Sequence, residues 1–194
     1  MNQNRFMERK EVFGKICYDK KLDKFWRISA KQSSKYDYND TNRRMPFGDE
    51  IPYDLANQLS APLSVGWKIT NRCNALCDHC YASSSPSECI GLSTEKLIKI
   101  AENLAQSNVF RVDLCGGEPT LRKNINVLAK KCRDLGLIVV LSTNGYLFNQ
   151  IKKTIPYLSF LQISLDSLNE KTHDSFRNLQ GSWKNAVRCI KRFS

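Results

Sequence analysis

Three cysteines within eight residues constrain this chain more than any other feature. Cys73, Cys77 and Cys80 lie in the stretch Asn71-Arg-Cys-Asn-Ala-Leu-Cys-Asp-His-Cys-Tyr-Ala82, directly after a strand-like run, Val65-Gly-Trp-Lys-Ile-Thr70. Thiolates are soft ligands that suit zinc or iron–sulfur clusters. The C-x3-C-x2-C count of three narrows the choice. A structural zinc site is closed and four-coordinate. A four-iron cubane takes one ligand per iron and is usually held by four cysteines. Three local thiolates on a cubane leave one iron open to a substrate or cofactor. The competing reading is a zinc knuckle completed by a distant residue. His79 adjoins Cys80 and is badly placed to join the same metal, while Cys89 and Cys115 follow no local ligand spacing.

The 194 residues suffice for one domain or slightly more, and a hydrophobic content of 41% supports a core. No apolar run approaches the length of a membrane span, and the first ten residues contain no apolar signal region. The chain reads as cytoplasmic, with no membrane partner. Eight cysteines in such a chain point to metal or redox chemistry rather than to a disulfide framework. The net charge of +11 is dispersed, with no Lys/Arg block interleaved with aromatics. That pattern argues for a solvated basic surface and against a nucleic-acid partner, with an anionic substrate or cofactor as the minor alternative.

Residues 1–64 read as an appended hairpin and linker. Val12–Tyr18 and Lys24–Ile28 have strand character around a polar turn, Asp19–Asp23. A polar linker to about Arg44 follows, then turn signals at Met45-Pro-Phe-Gly48 and Ile51-Pro52, and a short helix over Asp54–Leu59. From residue 65 strands and helices alternate. Strands are expected at Val65–Thr70, Val109–Leu114, Leu137–Leu141 and Leu158–Leu165. Helices are expected at Ser93–Ala105 with Ser93 as N-cap, Asn124–Leu135 ended by Gly136, Phe148–Thr154, Asn169–Asn178 and Trp183–Phe193. This is an α/β pattern with a parallel sheet and covering helices, a partial TIM-like barrel of about four βα units. A closed barrel needs eight units and about 250 residues. The last helix has no stop signal, so the chain reads as a fragment whose sheet leaves an apolar edge for a fifth strand.

Each unusual polar cluster falls just past the C-terminal end of a strand. The thiols follow the first strand, Cys115-Gly-Gly-Glu-Pro119 the second, Ser142-Thr-Asn-Gly145 the third, and Ser164-Leu-Asp166 the fourth. In parallel α/β barrels these ends share one rim, where active sites are built. Gly116 and Gly117 offer bare backbone that a ligand can approach closely. Glu118 can accept from an amine. Ser142 and Asn144 suit a carboxylate or sugar, and Ser164 and Asp166 suit ribose hydroxyls. Taken alone, the Gly-Gly segment is equally explained as a tight turn, and Ser142/Asn144 and Ser164/Asp166 are better explained as an Asn-Gly turn and a helix cap; their joint placement with the thiol loop reverses this and favours one site.

This ordered set, Cys73-x3-Cys77-x2-Cys80, Gly116-Gly-Glu-Pro119, Ser142-Thr-Asn-Gly145 and Ser164-Leu-Asp166, resembles the radical S-adenosylmethionine (radical SAM) superfamily over residues 65–194. The resemblance implies a [4Fe–4S] cluster on Cys73, Cys77 and Cys80, with SAM chelating the fourth iron. It implies that His79 holds the aromatic position of a segment near the adenine. Gly116, Gly117 and Glu118 would meet the methionyl amino group. Ser142 and Asn144 would lie by the methionyl carboxylate and ribose, and Ser164 and Asp166 by the ribose. The implied chemistry is reductive cleavage of SAM to a 5′-deoxyadenosyl radical that abstracts a substrate hydrogen, fed by an electron donor such as a flavodoxin or ferredoxin. Two departures stand out: the last two of the family's usual six βα units are missing, and position 115, often Thr or Ser in relatives, is Cys.

The hairpin ahead of the cysteine loop is similar to the peptide-modifying branch, which implies a peptide substrate. Enzymes of molybdopterin or haem-type cofactor biosynthesis share the same core and stay open, as does a non-catalytic iron–sulfur binding fragment. Cys17, Cys89, Cys132 and Cys189 are expected to be packing or incidental residues.

Overall fold

Hydrophobic alternation along four short strands sets the architecture that holds the cavity described below. The computed structural model describes residues 5–30 and 58–193. The linker to Arg44, the two turn signals and all but the last two residues of the helix expected over 54–59 lie outside the described residues. Those last two residues are in no regular element. The chain divides into two units, Met1–Pro62 and Leu63–Ser194.

The first unit contains a three-stranded antiparallel sheet in the order β1 (Phe6–Glu11), β2 (Gly14–Asp19), β3 (Lys24–Ser29). The expected hairpin is therefore β2–β3, and it starts two residues late because Val12 and Phe13 form the turn into it. β1 was not expected. Its residues, Phe-Met-Glu-Arg-Lys-Glu, are mostly charged; Lys15 Nζ of β2 donates across the pair to Glu8 at 3.2 Å, and within β1 Arg9 Nε donates to Glu11 at 2.6 Å. Cys17 and Ile28 are fully buried between Phe6 and Trp26, so Cys17 is a packing residue.

The second unit is built on a four-stranded sheet, β4 (Ser64–Thr70), β5 (Arg111–Gly116), β6 (Ile138–Thr143) and β7 (Phe160–Ile163), paired in sequence order and parallel throughout. Among the described residues β4 and β7 are its edges. Between and after the strands come α1 (Thr94–Gln106), α2 (Ile125–Asp134), α3 (Phe148–Thr154), α4 (Glu170–Arg177) and α5 (Ser182–Phe193). Local chemistry starts and stops them. Ser93 Oγ accepts from Lys96 N at the head of α1, Asn169 Oδ1 accepts from Thr172 N at the head of α4, and Gly136 leaves α2 at φ +84°.

Strand residues alternate faces. Val65, Trp67, Ile69, Val112, Leu114, Val139, Leu141 and Leu161 join Leu97, Ala101, Ile125, Leu128 and Cys132 of the helices in one core. The alternate residues, among them Lys68, Asp113, Cys115, Ser142 and Gln162, occupy the other face. A parallel sheet with one apolar helix-covered face and one polar face is the arc of a barrel, as the sequence pattern predicts. β5 and β6 run two residues further than expected. Cys115, Gly116, Ser142 and Thr143 thus end their strands rather than follow them, because parallel pairing from β4 continues to Thr70–Gly116 and from β7 to Ile163–Thr143. No helix among the described residues is long and apolar enough to cross a membrane.

Candidate active site

The C-terminal ends of β4 to β7 surround one cavity of about 220 Å³. Cys73, Cys77 and Cys80 line it, and so do His79, Gly116, Gly117, Glu118, Ser142, Asn144 and Ser164. Ten of the eleven residues singled out from the sequence therefore meet at one place. The eleventh, Asp166, stands one layer back behind Arg177, which does line the cavity.

All eight cysteines are free. Within the cysteine loop, Cys73 Sγ accepts from Ala75 N and Cys80 Sγ from Ser84 N, each at 3.4 Å. Hydrogen bonds of this kind tune sulfur ligands of iron–sulfur clusters. Burial pushes the Cys73 thiol up, and it pushes up Cys77 against the lowering pull of the Arg177 charge. Metal binding at such thiols would release their protons. Among the described residues no three His, Cys, Asp or Glu side chains converge tightly enough to hold a single ion. Ser84, 5% exposed, lines the cavity with a hydroxyl that has no partner among the described residues. Three soft donors around an open space, with an unspent hydroxyl beside them, fit a multi-iron body with separate corners better than a closed zinc tetrahedron.

Gly116 and Gly117 bring β5 against the loop that carries the thiols. Gly117 N donates to Thr70 O and Glu118 N to Arg72 O, each at 2.9 Å. A Cβ on Gly117 would sit 2.6 Å from the Arg72 carbonyl carbon and 2.8 Å from Asn71 O. Gly116, at φ +140°, is equally closed against Thr70 O. The glycines thus serve close backbone approach within the chain as well as toward a ligand.

Glu118 is 1% exposed, and its carboxylate is filled from within. Oε1 accepts from Thr120 N (3.0 Å), Thr120 Oγ1 (2.5 Å) and Thr143 Oγ1 (2.7 Å), and Oε2 accepts from Asn144 N (2.8 Å). Burial pushes the carboxyl up, while these donors pull it down. Its side chain ties the end of β5 to the end of β6. Asn144 extends the tie, donating from Nδ2 to Asn74 Oδ1 in the cysteine loop at 2.8 Å. Arg122, 8% exposed, pins the far end of that loop by donating to Ile69 O, Ile90 O and Leu92 O.

On the polar face of the sheet Ser142 Oγ lies 2.8 Å from Asp113 Oδ1 and 2.7 Å from Gln162 Oε1. A hydroxyl has one proton, so Ser142 donates to one of these two acceptor oxygens at a time. Cys115 adds a fourth thiol to the cavity wall, held protonated by burial and by the charge of Asp113.

Sequence reasoning missed Asp113, Gln162 and Arg177. A charged residue inside the apolar run Val112-Asp-Leu114 marks the polar face, and that signal was available. Arg177, 8% exposed, forms a fork with Asp166: Nε to Oδ2 at 2.6 Å and Nη2 to Oδ1 at 3.1 Å. Burial works against the Asp166 charge, but the fork wins and holds its carboxyl below the ordinary range. Asp166 N donates to His173 Nδ1 at 3.1 Å, so the His173 proton sits on Nε2, 3.3 Å from Ser182 Oγ. Burial, and next the Arg177 charge, lower His173 from its usual 6.5, so this fully buried ring is neutral. A base depressed in the fold supports stability above its unfolded value and withdraws it as pH falls. Urea unfolding between about pH 7.5 and 5.5 is expected to show stability dropping toward acid, and His173→Gln to flatten that drop.

The model of the Radical SAM superfamily matches residues 67–194. The chain is 35% identical over 144 residues to the antilisterial bacteriocin subtilosin biosynthesis protein AlbA of Bacillus subtilis, a match covering 72% of this chain and 32% of AlbA. It is 38% identical over 130 residues to Fe-coproporphyrin III synthase of Methanosarcina barkeri, covering 65% of this chain and 32% of that enzyme. It thus spans about a third of the length of these relatives. Streptococcus suis SuiB bound to S-adenosylmethionine shares the fold over 98% of this chain and 53% of its own, with a TM-score of 0.72 at 18% identity.

Proposed function

Because this chain belongs to the radical SAM superfamily, we propose that it is the core of an enzyme that uses a [4Fe–4S] cluster and SAM to abstract a hydrogen atom from a peptide substrate. The superfamily uses that cluster and that cofactor. The observation that carries the reading is the convergence of Cys73, Cys77 and Cys80 with Gly116, Gly117 and Asn144 on one cavity.

In this reading Cys73, Cys77 and Cys80 hold the cluster. His79, Gly116, Gly117, Glu118, Ser142, Asn144, Ser164 and Asp166 make up the SAM site. When bound, the pair supplies one-electron cleavage of the sulfonium and a 5′-deoxyadenosyl radical. The chain's own residues bind and orient. Gly116 and Gly117 keep the wall thin where the cofactor approaches. Glu118, saturated by four donors, sets the spacing between the Gly-Gly turn and Asn144 rather than meeting a ligand through its oxygens. Asp166 acts through Arg177 by fixing its guanidinium at the cavity wall.

A peptide substrate is supported by the match to AlbA, whose name assigns it to bacteriocin biosynthesis. The 38% identity to Fe-coproporphyrin III synthase supports a second reading, a haem-type precursor. A flavodoxin or ferredoxin is the proposed electron donor, and the cytoplasm the proposed setting.

The test is anaerobic. The protein is loaded with iron and sulfide, reduced and given SAM. 5′-Deoxyadenosine is the expected product. A cluster without that product would make this chain an inert binding module, and zinc at unit stoichiometry without iron would make it a knuckle.

A further inference from the structure

The last four carbonyls of a helix have no partner within it. At the end of α4 these belong to Asp174, Ser175, Phe176 and Arg177. The following residues satisfy the first two, through Leu179 N to Asp174 O and Asn178 N to Ser175 O, each at 3.0 Å. The cysteine loop satisfies the other two. Asp78 N donates to Phe176 O and Leu76 N to Arg177 O, each at 3.2 Å. Leu76 and Asp78 flank Cys77. Asn178, in the left-handed conformation at φ 46° and ψ 43°, closes the arrangement from its side chain. Its Nδ2 donates to Leu76 O at 2.8 Å and to Asp78 Oδ1 at 2.7 Å. The ring of His79 stacks on Phe176, with centroids 4.3 Å apart and planes 8° apart.

We propose that Asn178 is a positioning residue: with the two terminal carbonyls of α4 it clasps both neighbours of Cys77 and sets the cysteine loop in its cluster-ready shape before metal arrives. The purpose of the clasp rests on the cluster reading above; its existence does not. The clasp bonds join only protein groups, so it holds in the metal-free chain. Cys77 sits at its centre, between two residues whose backbone N–H groups are both spoken for.

The chemistry at position 178 makes the idea separable from mere folding. Asn178→Gly keeps a residue suited to the left-handed turn and removes only the amide. Asn178→Asp replaces a donor by a carboxylate facing two acceptors, Leu76 O and Asp78. Combining Asn178→Asp with Asp78→Asn exchanges donor and acceptor and restores one of the two bonds. In the metal-free protein, hydrogen exchange at the Leu76 and Asp78 amides is expected to be about fivefold faster in Asn178→Gly than in the unaltered chain, and faster still in Asn178→Asp. In the exchanged pair it is expected to fall back below Asn178→Asp. In the loaded protein, iron release to a chelator is expected to follow the same order.

Uniform exchange and uniform iron release across all four proteins, with cluster present, would overturn the clasp and leave the cluster reading intact. Failure of the exchanged pair to slow either process relative to Asn178→Asp would overturn it as well. The predicted exchange order without cluster uptake in any of the four would support the clasp and sink the cluster reading instead.

Discussion

Replacing Cys77 by alanine is expected to strip the anaerobically loaded protein of its iron, from on the order of four atoms per chain to almost none. Each thiolate in the proposed site holds a separate iron. Beyond Cys73 and Cys80, the further thiol on the cavity wall, Cys115, sits on β5, in a different element from the loop. Cys132→Ala is the matched control. Cys132 is fully buried in the core on α2, against Leu128 and the apolar face of the sheet, and has no route to the cavity. That change costs about 1 kcal/mol of packing and leaves the iron content unchanged. Iron and acid-labile sulfide per chain, together with the visible absorption of the loaded protein, check both. Equal iron loss in the two variants would overturn the ligand assignment.

Gly117→Ala is expected to do comparable damage without touching a ligand. The new methyl would press on the carbonyls of Asn71 and Arg72, the two residues that lead into Cys73. Both neighbours are backbone and neither can rotate away. Forcing them apart also strains the Gly117 N to Thr70 O and Glu118 N to Arg72 O bonds. The expected cost is about 3 kcal/mol, measured by urea unfolding, with poor cluster loading as a second consequence. Gly66→Ala supplies the contrast. Nothing lies within 4 Å of a Cβ at that position, and alanine suits a strand interior better than glycine, so the change is expected to be neutral or stabilising by up to about 1 kcal/mol. If the two glycines responded alike, the close approach at Gly117 would not be what holds the loop.

The parts of this molecule governed by local chemistry were legible in its sequence. The Ser93 cap, the Gly136 stop and the apolar alternation placed the helices and strands of the second unit to within two residues at most ends. Ten of eleven named site residues then met at one cavity, because parallel βα repetition puts every strand's C-terminal end on one rim. What stayed hidden depended on pairing across long separations. β1 is too charged to read as a strand until β2 lies beside it. Glu118 reads as a ligand for an amine until the fold surrounds it with four donors. Nothing around Arg177 and Asn178 in the sequence says that the end of their helix will touch residues 76–79. Cys115, by contrast, stood out in the sequence as a departure from the family pattern and does line the cavity wall.

The bonds between Asn178 and the cysteine loop span 100 and 102 residues of chain. During synthesis at about 5–20 residues per second, the three thiols leave the ribosome roughly 5–20 seconds before the helix end that grips them. Throughout that interval the thiol segment is held by its own turns and, as they emerge, by Glu118, Arg122 and Asn144, but not by the end of α4. For the proposed cluster site, the order of translation therefore makes assembly a late event, timed by the fourth βα unit rather than by the appearance of Cys73, Cys77 and Cys80.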